Sequence, residues 1–300
     1  AINLANLDAI NYVTVAGTVN NAASIGGALT GIAVNTAAST TALGVVLTTP
    51  AGTADEVTFA TEGTAAVTHT ALTLDGFETI NFTTDDSANK TVTTTATTGV
   101  EHAVTTLNAD KATTINVSGD AGLTIGTYAD TTLTTFNASG VTASTTGTSD
   151  VSYTTGALAA ASTLTGGAGN DTLSGGAGAD TLSGGGRADT LTGGSGSDFF
   201  SFAEADSIGA NTDTITDFVA SADNLVITVV ADSATGAISV TDSGDAASAA
   251  AGLTLLSSKQ GEYFFNTGTS QFMMDTDGNG LIQASDFVLT LTGETGFSSA

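Results

Sequence analysis

The chain has 300 residues, and its 30 acidic residues against four basic ones give it a formal net charge of −26. Such a charge repels phosphate backbones and anionic lipid, so we expect no nucleic-acid partner and no electrostatic docking to membranes. There is no cysteine to form a disulfide, and no apolar run of about 18 residues to form a transmembrane segment. Stability must therefore come from backbone hydrogen bonds, a modest core or bound metal.

The first part of the chain, residues 1–160, is rich in Thr, Val and Ile and punctuated by Gly, which is typical of short β-strands. A five-residue motif with Thr, a large apolar residue and Asn at its centre recurs at 78–82, 105–109, 113–117 and 134–138. Strand alternation places the apolar residue on one face and Thr and Asn on the other. Because the spacing is irregular, we predict an irregular β-solenoid whose insertions lie in loops, with a Thr-rich β-sandwich as the alternative.

A glycine-rich segment, residues 161–202, follows and contains four nine-residue repeats. They read GGAGNDTLS (166–174), GGAGADTLS (175–183), GGGRADTLT (184–192) and GGSGSDFFS (193–201). The pattern is G-G-x-G-x-D-x-U-x, with U a large apolar residue, and a flexible linker would not keep Asp and Leu in nine-residue phase. We predict that the first six residues of each repeat form a turn and the last three a short strand of a parallel β-roll.

The turns of this roll are predicted to bind Ca²⁺, because glycine lets backbone carbonyls converge and the sixth residue adds a carboxylate. Two repeats make one turn of a roll, so we expect Asp171 to lie over Asp189 and Asp180 over Asp198, with metal between them. The predicted ligands are Gly166, Ala168, Asp171, Gly175, Ala177, Asp180, Gly184, Gly186, Asp189, Gly193, Ser195 and Asp198. The predicted core residues are Leu173, Leu182, Leu191 and Phe200. So thin a core should not hold without metal.

Two positions depart from the repeat. Arg187 stands where the pattern has Gly, so we expect a strained turn and a weaker metal site between Asp171 and Asp189. Upstream, residues 157–165 keep the strand but have Ser162 in place of Asp. We interpret this segment as a metal-free turn that joins the solenoid to the roll.

The third part, residues 203–300, contains strand-like segments at 224–230 and 262–265, and the Ala-rich stretch 245–256 predicts one short helix. Residues 275–286 fit the loop of an EF-hand, and the predicted ligands are Asp275, Asp277, Asn279 and Asp286. Asp286 replaces the usual bidentate Glu, and the segment before the loop has the pattern of a strand. The alternative is therefore a hairpin whose Asp residues lie in a solvated turn.

Taken together, these features resemble the RTX family of calcium-binding proteins, which are exported by type I secretion. Residues 211–218, with Asp223, are similar to the D-x-I-x-D-F segment that closes the roll in that family, and residues 272–280 to its late hairpin. The resemblance covers about residues 164–292 and implies a C-terminal secretion signal within 203–300. Residues 1–13 fit this expectation, since they lack the features of a Sec-type signal peptide. The region before the roll is similar to the solenoid portions of RTX-type S-layer proteins of Gram-negative bacteria.

Catalytic motifs are missing from the sequence. The two histidines, His69 and His102, form no H-E-x-x-H motif, and there is no G-x-S-x-G nucleophile elbow. We interpret His102, which follows Glu101, as a lone surface histidine. Glu is rare and there is no Trp to stack a sugar, which disfavours glycosidase chemistry. We therefore expect this chain not to be an enzyme.

The resemblance and the composition together favour an extracellular structural protein at the bacterial cell surface, a calcium-dependent subunit of an S-layer or a surface filament. Its partners would be further copies of itself and cell-surface polysaccharide. Calcium outside the cell would drive folding and offset the negative charge. The alternatives are the C-terminal module of an RTX adhesin and the secretion and folding tail of a secreted enzyme.

Overall fold

The computed structural model describes the following residues: 13–16, 23–26, 32–36, 43–49, 55–62, 65–85, 100–128, 131–142, 149–154, 158–228, 241–242, 253–256, 262–266, 268–276 and 283–293. Every regular element within these ranges is a β-strand. None of these residues belongs to a helix long and apolar enough to cross a membrane.

The strands follow one another in this order: β1 (Val13–Ala16), β2 (Ala23–Gly26), β3 (Ile32–Thr36), β4 (Leu43–Thr49), β5 (Glu56–Glu62), β6 (Thr68–His69), β7 (Leu72–Asp75), β8 (Thr79–Asp85), β9 (Glu101–Asn108), β10 (Thr114–Gly119), β11 (Gly122–Tyr128), β12 (Thr135–Val141), β13 (Val151–Thr154), β14 (Thr163–Thr165), β15 (Thr172–Ala177), β16 (Thr181–Ser183), β17 (Thr190–Ser195), β18 (Phe199–Ala203), β19 (Asp213–Ile215), β20 (Asn224–Thr228), β21 (Thr241–Asp242), β22 (Leu253–Leu256), β23 (Glu262–Asn266), β24 (Gln271–Met274) and β25 (Phe287–Leu291).

The strands form two sheets, and the chain passes back and forth between them. Sheet 1 has the order β1-β3-β5-β8-β10-β12-β14-β16-β18-β20-β22. Sheet 2 has the order β2-β4-β7-β9-β11-β13-β15-β17-β19-β25-β24-β23-β21, with β6 paired to β9. Nearly all pairs are parallel, and the exceptions are the antiparallel pairs of β24 with β23 and β25. This arrangement confirms the predicted solenoid and β-roll, and it excludes the antiparallel sandwich.

Three of the four copies of the Thr-apolar-Asn motif stack in sheet 1. Ile80 pairs with Ile115, which pairs with Phe136, and the flanking Thr and Asn residues are in the same register. The Nδ2 group of Asn116 donates a hydrogen bond of 2.8 Å to Oδ1 of Asn81 on the outer face. The fourth copy, at 105–109, lies in sheet 2, where Leu107 pairs with Leu72. The irregular spacing in the sequence therefore reflects both uneven coil lengths and two different sheets.

A single core runs between the two sheets. In the coils before residue 155 it contains aromatic pairs such as Phe136 and Tyr153, whose rings stack with centroids 4.3 Å apart. In the nonapeptide repeats the core narrows to one large apolar residue per repeat, and Leu173, Leu182, Leu191 and Phe200 are all buried as predicted. Both sheets continue from the coils through the roll into strands beyond residue 202, so the division at 160 and 202 stays a prediction about folding units.

Two expectations need correction. The stretch 245–256 was expected to form a helix, but its last four residues, Leu253–Leu256, form strand β22, and residues 245–252 lie outside the described ranges. His102 is not at the surface, because it points inward from β9 in phase with Val104 and is fully buried. Its Nδ1 atom accepts a hydrogen bond of 3.1 Å from the Val67 N–H, so it acts as a neutral structural group. Burial lowers its pKa, in agreement with this role.

Candidate metal centre

The turns of the roll stack with a period of two repeats. Thr172 and Leu173 of β15 pair with Thr190 and Leu191 of β17. On the opposite side, Leu182 of β16 pairs with Phe200 of β18. This register confirms that each turn lies over the turn two repeats further along the chain.

The sixth residues of these stacked repeats, all Asp, are linked by hydrogen bonds from the backbone N–H of one to the carboxylate of the next. The Asp171 N–H donates to Oδ1 of Asp189 at 2.7 Å, and the Asp180 N–H donates to Oδ1 of Asp198 at 2.9 Å. Asp171 therefore lies over Asp189 and Asp180 over Asp198, as the nine-residue phase predicts. In each of these carboxylates, Oδ1 accepts the N–H of the stacked turn. The second oxygen, Oδ2, does not take part in that hydrogen bond.

Both series of carboxylates extend beyond the nonapeptides. The Asp189 N–H donates to Oδ1 of Asp213 at 2.8 Å, and the Asp198 N–H donates to Oδ1 of Asp223 at 2.9 Å. We name the series Asp171, Asp189 and Asp213 the first ladder, and the series Asp180, Asp198 and Asp223 the second ladder. Asp213 and Asp223 were not predicted as part of the site, although both belong to the segment whose resemblance implied that it closes the roll.

The second oxygens of three ladder carboxylates have no protein partner. The Oδ2 atoms of Asp180, Asp189 and Asp213 are buried and make no hydrogen bond within the described residues. A buried polar atom without a partner costs about 1–3 kcal/mol, and a charged one costs more. The ladder ends differ, since Oδ2 of Asp171 accepts from the Gly167 N–H at 2.5 Å and Oδ2 of Asp223 accepts from the Val219 N–H at 2.8 Å. Asp180, Asp189 and Asp213 are therefore the carboxylates that a bound cation would satisfy.

The pKa values of the ladder carboxylates also indicate that a bound cation would stabilise them. Burial, helped by the charges of neighbouring carboxylates, raises the pKa of Asp189 to about 9 and that of Asp213 to about 8. Burial also raises the pKa of Asp171, to about 6, and shifts the pKa of Asp198 upward. With pKa values above neutral pH, Asp189 and Asp213 favour the protonated form when no cation is bound, and a divalent ion would replace the protons and keep these carboxylates ionised.

Carbonyl oxygens of the next turn lie close to the Oδ2 atoms of the ladder carboxylates. A Cβ atom added to Gly175 would lie 2.5 Å from Oδ2 of Asp180 and 2.8 Å from the carbonyl oxygen of Gly193. On the other side of the roll, a Cβ on Gly166 would collide with Oδ2 of Asp171 and the carbonyl oxygen of Gly184. A carboxylate from one turn and a carbonyl from the turn stacked on it thus converge, which is the donor set that a hard Ca²⁺ ion prefers. The first residue of each repeat must be Gly to leave room for them.

The remaining predicted ligands of the roll lie in the same turns. Gly166, Gly175, Gly184 and Gly193 are buried, whereas Ala168, Ala177, Gly186 and Ser195 are half-buried or exposed. The carbonyl oxygen of Ser195 accepts a hydrogen bond of 2.8 Å from the Gly178 N–H, so it is already used once. Within the described ranges no three His, Asp or Glu side chains converge on one point. The donor set therefore fits calcium as pairs of carboxylates supplemented by backbone oxygens.

The two departures from the repeat have clear structural effects. Arg187 has a φ of 79°, in the left-handed region that disfavours residues with a Cβ, which confirms the expected strain in the third turn. Ser162 takes the ladder position above Asp180, and both its N–H and its hydroxyl donate to Oδ1 of Asp180 at 2.7 Å. The segment before the first repeat therefore caps the second ladder with hydrogen-bond donors and adds no carboxylate.

The predicted site in the C-terminal loop is only partly described, because Asp277 and Asn279 lie outside the described residues. Asp275 and Asp286 are both buried. Oδ1 of Asp286 accepts from the Thr276 N–H at 3.0 Å, and its Oδ2 accepts from the Gln283 N–H at 2.7 Å. Strands β24 and β25 flank the loop where an EF-hand would have helices. In this geometry Asp286 closes a hairpin turn, and calcium binding by this loop stays a prediction.

Comparison with known proteins places the glycine-rich segment in a family. Residues 159–186 and 175–203 match the family model of the RTX calcium-binding nonapeptide repeat (4 copies). No curated protein matches the chain. The match begins upstream of the first full repeat and so includes the Ser162 turn. The chain therefore carries RTX calcium-binding repeats, and the turns described above are those repeats.

Proposed function

We propose that the protein is a secreted, calcium-dependent structural protein, a subunit of an S-layer or surface filament on a bacterial cell. One observation carries the proposal: the RTX turns are built into the same two sheets as the long solenoid, so calcium bound in the roll would complete sheets that the solenoid begins. RTX proteins are typically secreted, and export by a type I system is the route that the resemblance implies. The chain is thus suited to folding where calcium is plentiful.

The outer faces of the sheets support packing between copies. In sheet 1, residues in register along the stack are Thr79, Thr114, Thr135, Thr163 and Thr181. In sheet 2, residues in register are Thr124, Ser152, Thr172, Thr190, Thr214 and Thr290. Parallel strands repeat about every 4.8 Å, so each column forms a regular row of hydroxyl and methyl groups. Such rows suit a second copy of the chain, and their hydroxyls also suit a surface polysaccharide.

Calcium would act in two ways in this proposal. Its affinity for extracellular modules falls in the range of about 10⁻⁴–10⁻³ M, so the roll would stay open at low intracellular calcium and close outside the cell. Bound ions would also reduce the net charge of −26, which otherwise opposes close approach of two copies. We propose no enzymatic activity, since the solenoid core is filled by side chains and the two histidines serve that core.

The proposal is tested by electron microscopy of the purified chain, started in chelator and brought stepwise to millimolar Ca²⁺, with circular dichroism on the same samples. The site variant is Asp180→Asn with Asp189→Asn, which removes two partnerless oxygens but keeps both Oδ1 acceptors. The matched control is Asp110→Asn, an exposed residue whose Oδ1 accepts from the Gly76 N–H at 2.8 Å.

We expect calcium to increase the β signal, through folding of the roll, and to produce ordered sheets or filaments in the wild type and in Asp110→Asn, and to do neither in the site variant at the same calcium concentration. A wild-type chain that folds with calcium but stays monomeric at every concentration would overturn the structural role. The adhesin-module and enzyme-tail alternatives would then be favoured.

A further inference from the structure

Part of the outer face of sheet 1 carries no charge. Strands β10, β12, β14, β16, β18 and β20 lie side by side in this sheet and contain no Asp, Glu, Lys or Arg. We name the outward side of these six strands the neutral face. The chain has a net charge of −26, so a second copy meets less electrostatic repulsion here than at a face lined by carboxylates.

Two columns of small polar side chains cross the neutral face. Residues two apart along a strand point to the same side of a sheet, so both columns face away from the core. The members of the first column are Thr114, Thr135, Thr163 and Thr181, and those of the second are Asn116, Asn137, Thr165 and Ser183. The result is a flat surface of hydroxyl, methyl and amide groups that repeats about every 4.8 Å.

Beyond Thr181, the first column continues with an aromatic ring. Phe199 pairs with Thr181, points outward and is 43% exposed, whereas the next residue, Phe200, is fully buried. Val226 lies on the adjacent strand β20, diagonal to Phe199, and is half-buried on the same face. Two apolar side chains therefore stand at one end of a face that is otherwise polar and uncharged.

Sheet 2 has no such ring in its corresponding column. The residues in register there are Thr124, Ser152, Thr172, Thr190, Thr214 and Thr290. Among the described residues, the exposed large hydrophobic ones are Phe199 and Val219, and Val219 lies in the segment between β19 and β20. Interfaces between proteins take most of their binding energy from a few buried anchors, often aromatic, within a polar rim. Sheet 1 is therefore the better docking face.

We propose that a second copy of the chain docks on the neutral face, with sheet 1 of one copy against sheet 1 of the other and Phe199 as the anchor. This contact rests on the proposed function, and it adds which of the two faces joins the subunits. A second copy fits because its columns have the same repeat of about 4.8 Å, so the two surfaces stay in step along the whole contact.

The apolar patch also favours a contact between identical faces. Among the described residues, the apolar surface that best matches Phe199 and Val226 is the same pair on another copy. A two-fold axis parallel to the direction in which the strands stack would place each strand opposite its counterpart. Phe199 would then face Phe199, and all six strands would take part.

A single contact of this kind is small. Six strands about 4.8 Å apart span about 24 Å, with two or three outward residues on each strand. This surface is less than the about 800 Å² per partner of a standard stable interface. One contact would therefore be weak alone and would act where many copies assemble together.

The test follows the assembly of the full chain in saturating calcium by light scattering as the protein concentration rises. Phe199→Thr replaces the ring with the residue type that the column has at Thr181, so the strand keeps its pattern. Val219→Thr makes the same change at an exposed apolar residue outside the neutral face. We expect the threshold concentration for assembly to rise at least about tenfold in Phe199→Thr and less than about twofold in Val219→Thr.

Cysteine labelling locates the contact independently, because the chain has no cysteine of its own. Thr181→Cys and Thr190→Cys change the seventh residue of consecutive repeats, the first in sheet 1 and the second in sheet 2. In assembled samples, we expect a maleimide reagent to label Thr181→Cys at least about tenfold more slowly than in calcium-bound monomer, because the core of an interface excludes solvent. Labelling of Thr190→Cys should keep its rate.

The outcomes separate this contact from the proposed function. A wild type that assembles, with an unchanged threshold in Phe199→Thr and unslowed labelling of Thr181→Cys, overturns the contact alone. If Phe199→Thr then also loses binding to a dextran resin, the neutral face binds polysaccharide instead. A wild type that folds in calcium but stays monomeric overturns the contact and the proposed function together. If circular dichroism shows that Phe199→Thr does not fold, the labelling rates decide.

Discussion

The coils described between residues 55 and 154 and the roll between 158 and 228 share two sheets but are stabilised in different ways. The coils bury large side chains, among them Phe59, Phe82, Phe136 and Tyr153. The roll buries a single Leu or Phe per repeat, and its tight turns require glycine because a side chain there would collide with neighbouring atoms. Burial of one such side chain contributes about 1.5–3 kcal/mol, which is less than the cost of ordering the nine residues of a repeat.

The corners of the two regions show the same contrast. In the coils, corners are closed by protein groups, as where the Thr84 hydroxyl donates to the carbonyl of Ala121 at 2.7 Å and the Gly76 N–H donates to Asp110. In the roll, the corners hold carboxylates whose second oxygens have no partner in the described part of the chain. The corners of the coils are thus closed by protein groups, whereas the corners of the roll present carboxylate oxygens that we propose bind calcium.

The largest expected effect is that of removing calcium. We expect chelator to open the roll, residues 158–228, while the described coils from 55 to 154 keep their structure, because the roll stacks several buried carboxylates whose second oxygens make no hydrogen bond, at Asp180, Asp189 and Asp213. Hydrogen–deuterium exchange with and without calcium measures this directly, peptide by peptide. Equal loss of protection in both regions would mean that the two are one cooperative unit, and no loss in the roll would contradict its need for metal.

The second effect is a loss of core packing in the coils. Phe136→Ala removes a fully buried ring that stacks on Tyr153, so we expect unfolding of the coils to cost about 3–5 kcal/mol less free energy. Urea denaturation in chelator isolates this region, since the roll is then already open. The control is Thr135→Ala on the outer face of the same strand, which we expect to change stability by less than about 1 kcal/mol. Equal effects of the two changes would be inconsistent with the proposed core.

The third effect concerns one carboxylate oxygen in the second ladder. Asp180→Asn keeps Oδ1, which accepts from Ser162, and exchanges only the partnerless Oδ2 for an amide nitrogen. We expect the calcium concentration at the folding midpoint to rise at least about tenfold. At known metal sites, removing a group that only hydrogen-bonds to a ligand already lowers metal affinity by about 10–100-fold. Circular dichroism during calcium titration measures the midpoint. An unchanged midpoint would show that Asp180 does not bind the ion.

The smallest effect is expected at Arg187, where the left-handed φ of 79° costs about 1–2 kcal/mol for a residue with a side chain. Arg187→Gly should relieve this strain and remove one positive charge from the third repeat. We expect a gain of about 1 kcal/mol in calcium-bound stability, measured by thermal unfolding. Arg187→Ala removes the charge but keeps the strain, so equal gains in both variants would assign the effect to charge alone.

Much of the structure of the roll could be predicted from the sequence because its repeats are strictly periodic. The nine-residue phase was enough to predict that Asp171 lies over Asp189 and that Leu173 is buried. Asp213 and Asp223 escaped prediction because they follow their ladder neighbours by 24 and 25 residues, whereas Asp189 follows Asp171 by 18. Outside the repeats, the ladder is set by the three-dimensional stacking of strands, and spacing along the chain no longer reveals it.

The coils were harder to predict because their length varies. The pairing of Thr79 with Thr114 and of Thr114 with Thr135 spans unequal segments, so no period in the sequence indicates which strands are neighbours. The burial of His102 was predictable in principle, since it alternates with Val104 and Leu107 lies further along the same strand. Its polarity led to the surface interpretation, and the hydrogen bond from Val67, which lies 35 residues away, is what permits its burial.

The central claim is that calcium binds between stacked turns at carboxylate oxygens that have no protein partner. A crystal structure of the chain grown with calcium, with anomalous difference density to locate the ions, tests it most directly. We predict ions about 2.3–2.6 Å from Oδ2 of Asp180, with carbonyl oxygens of the stacked turn in the same coordination shell. Calcium found only at exposed acids such as Asp110, with water hydrogen-bonded to Oδ2 of Asp180 and Asp189, would contradict the account.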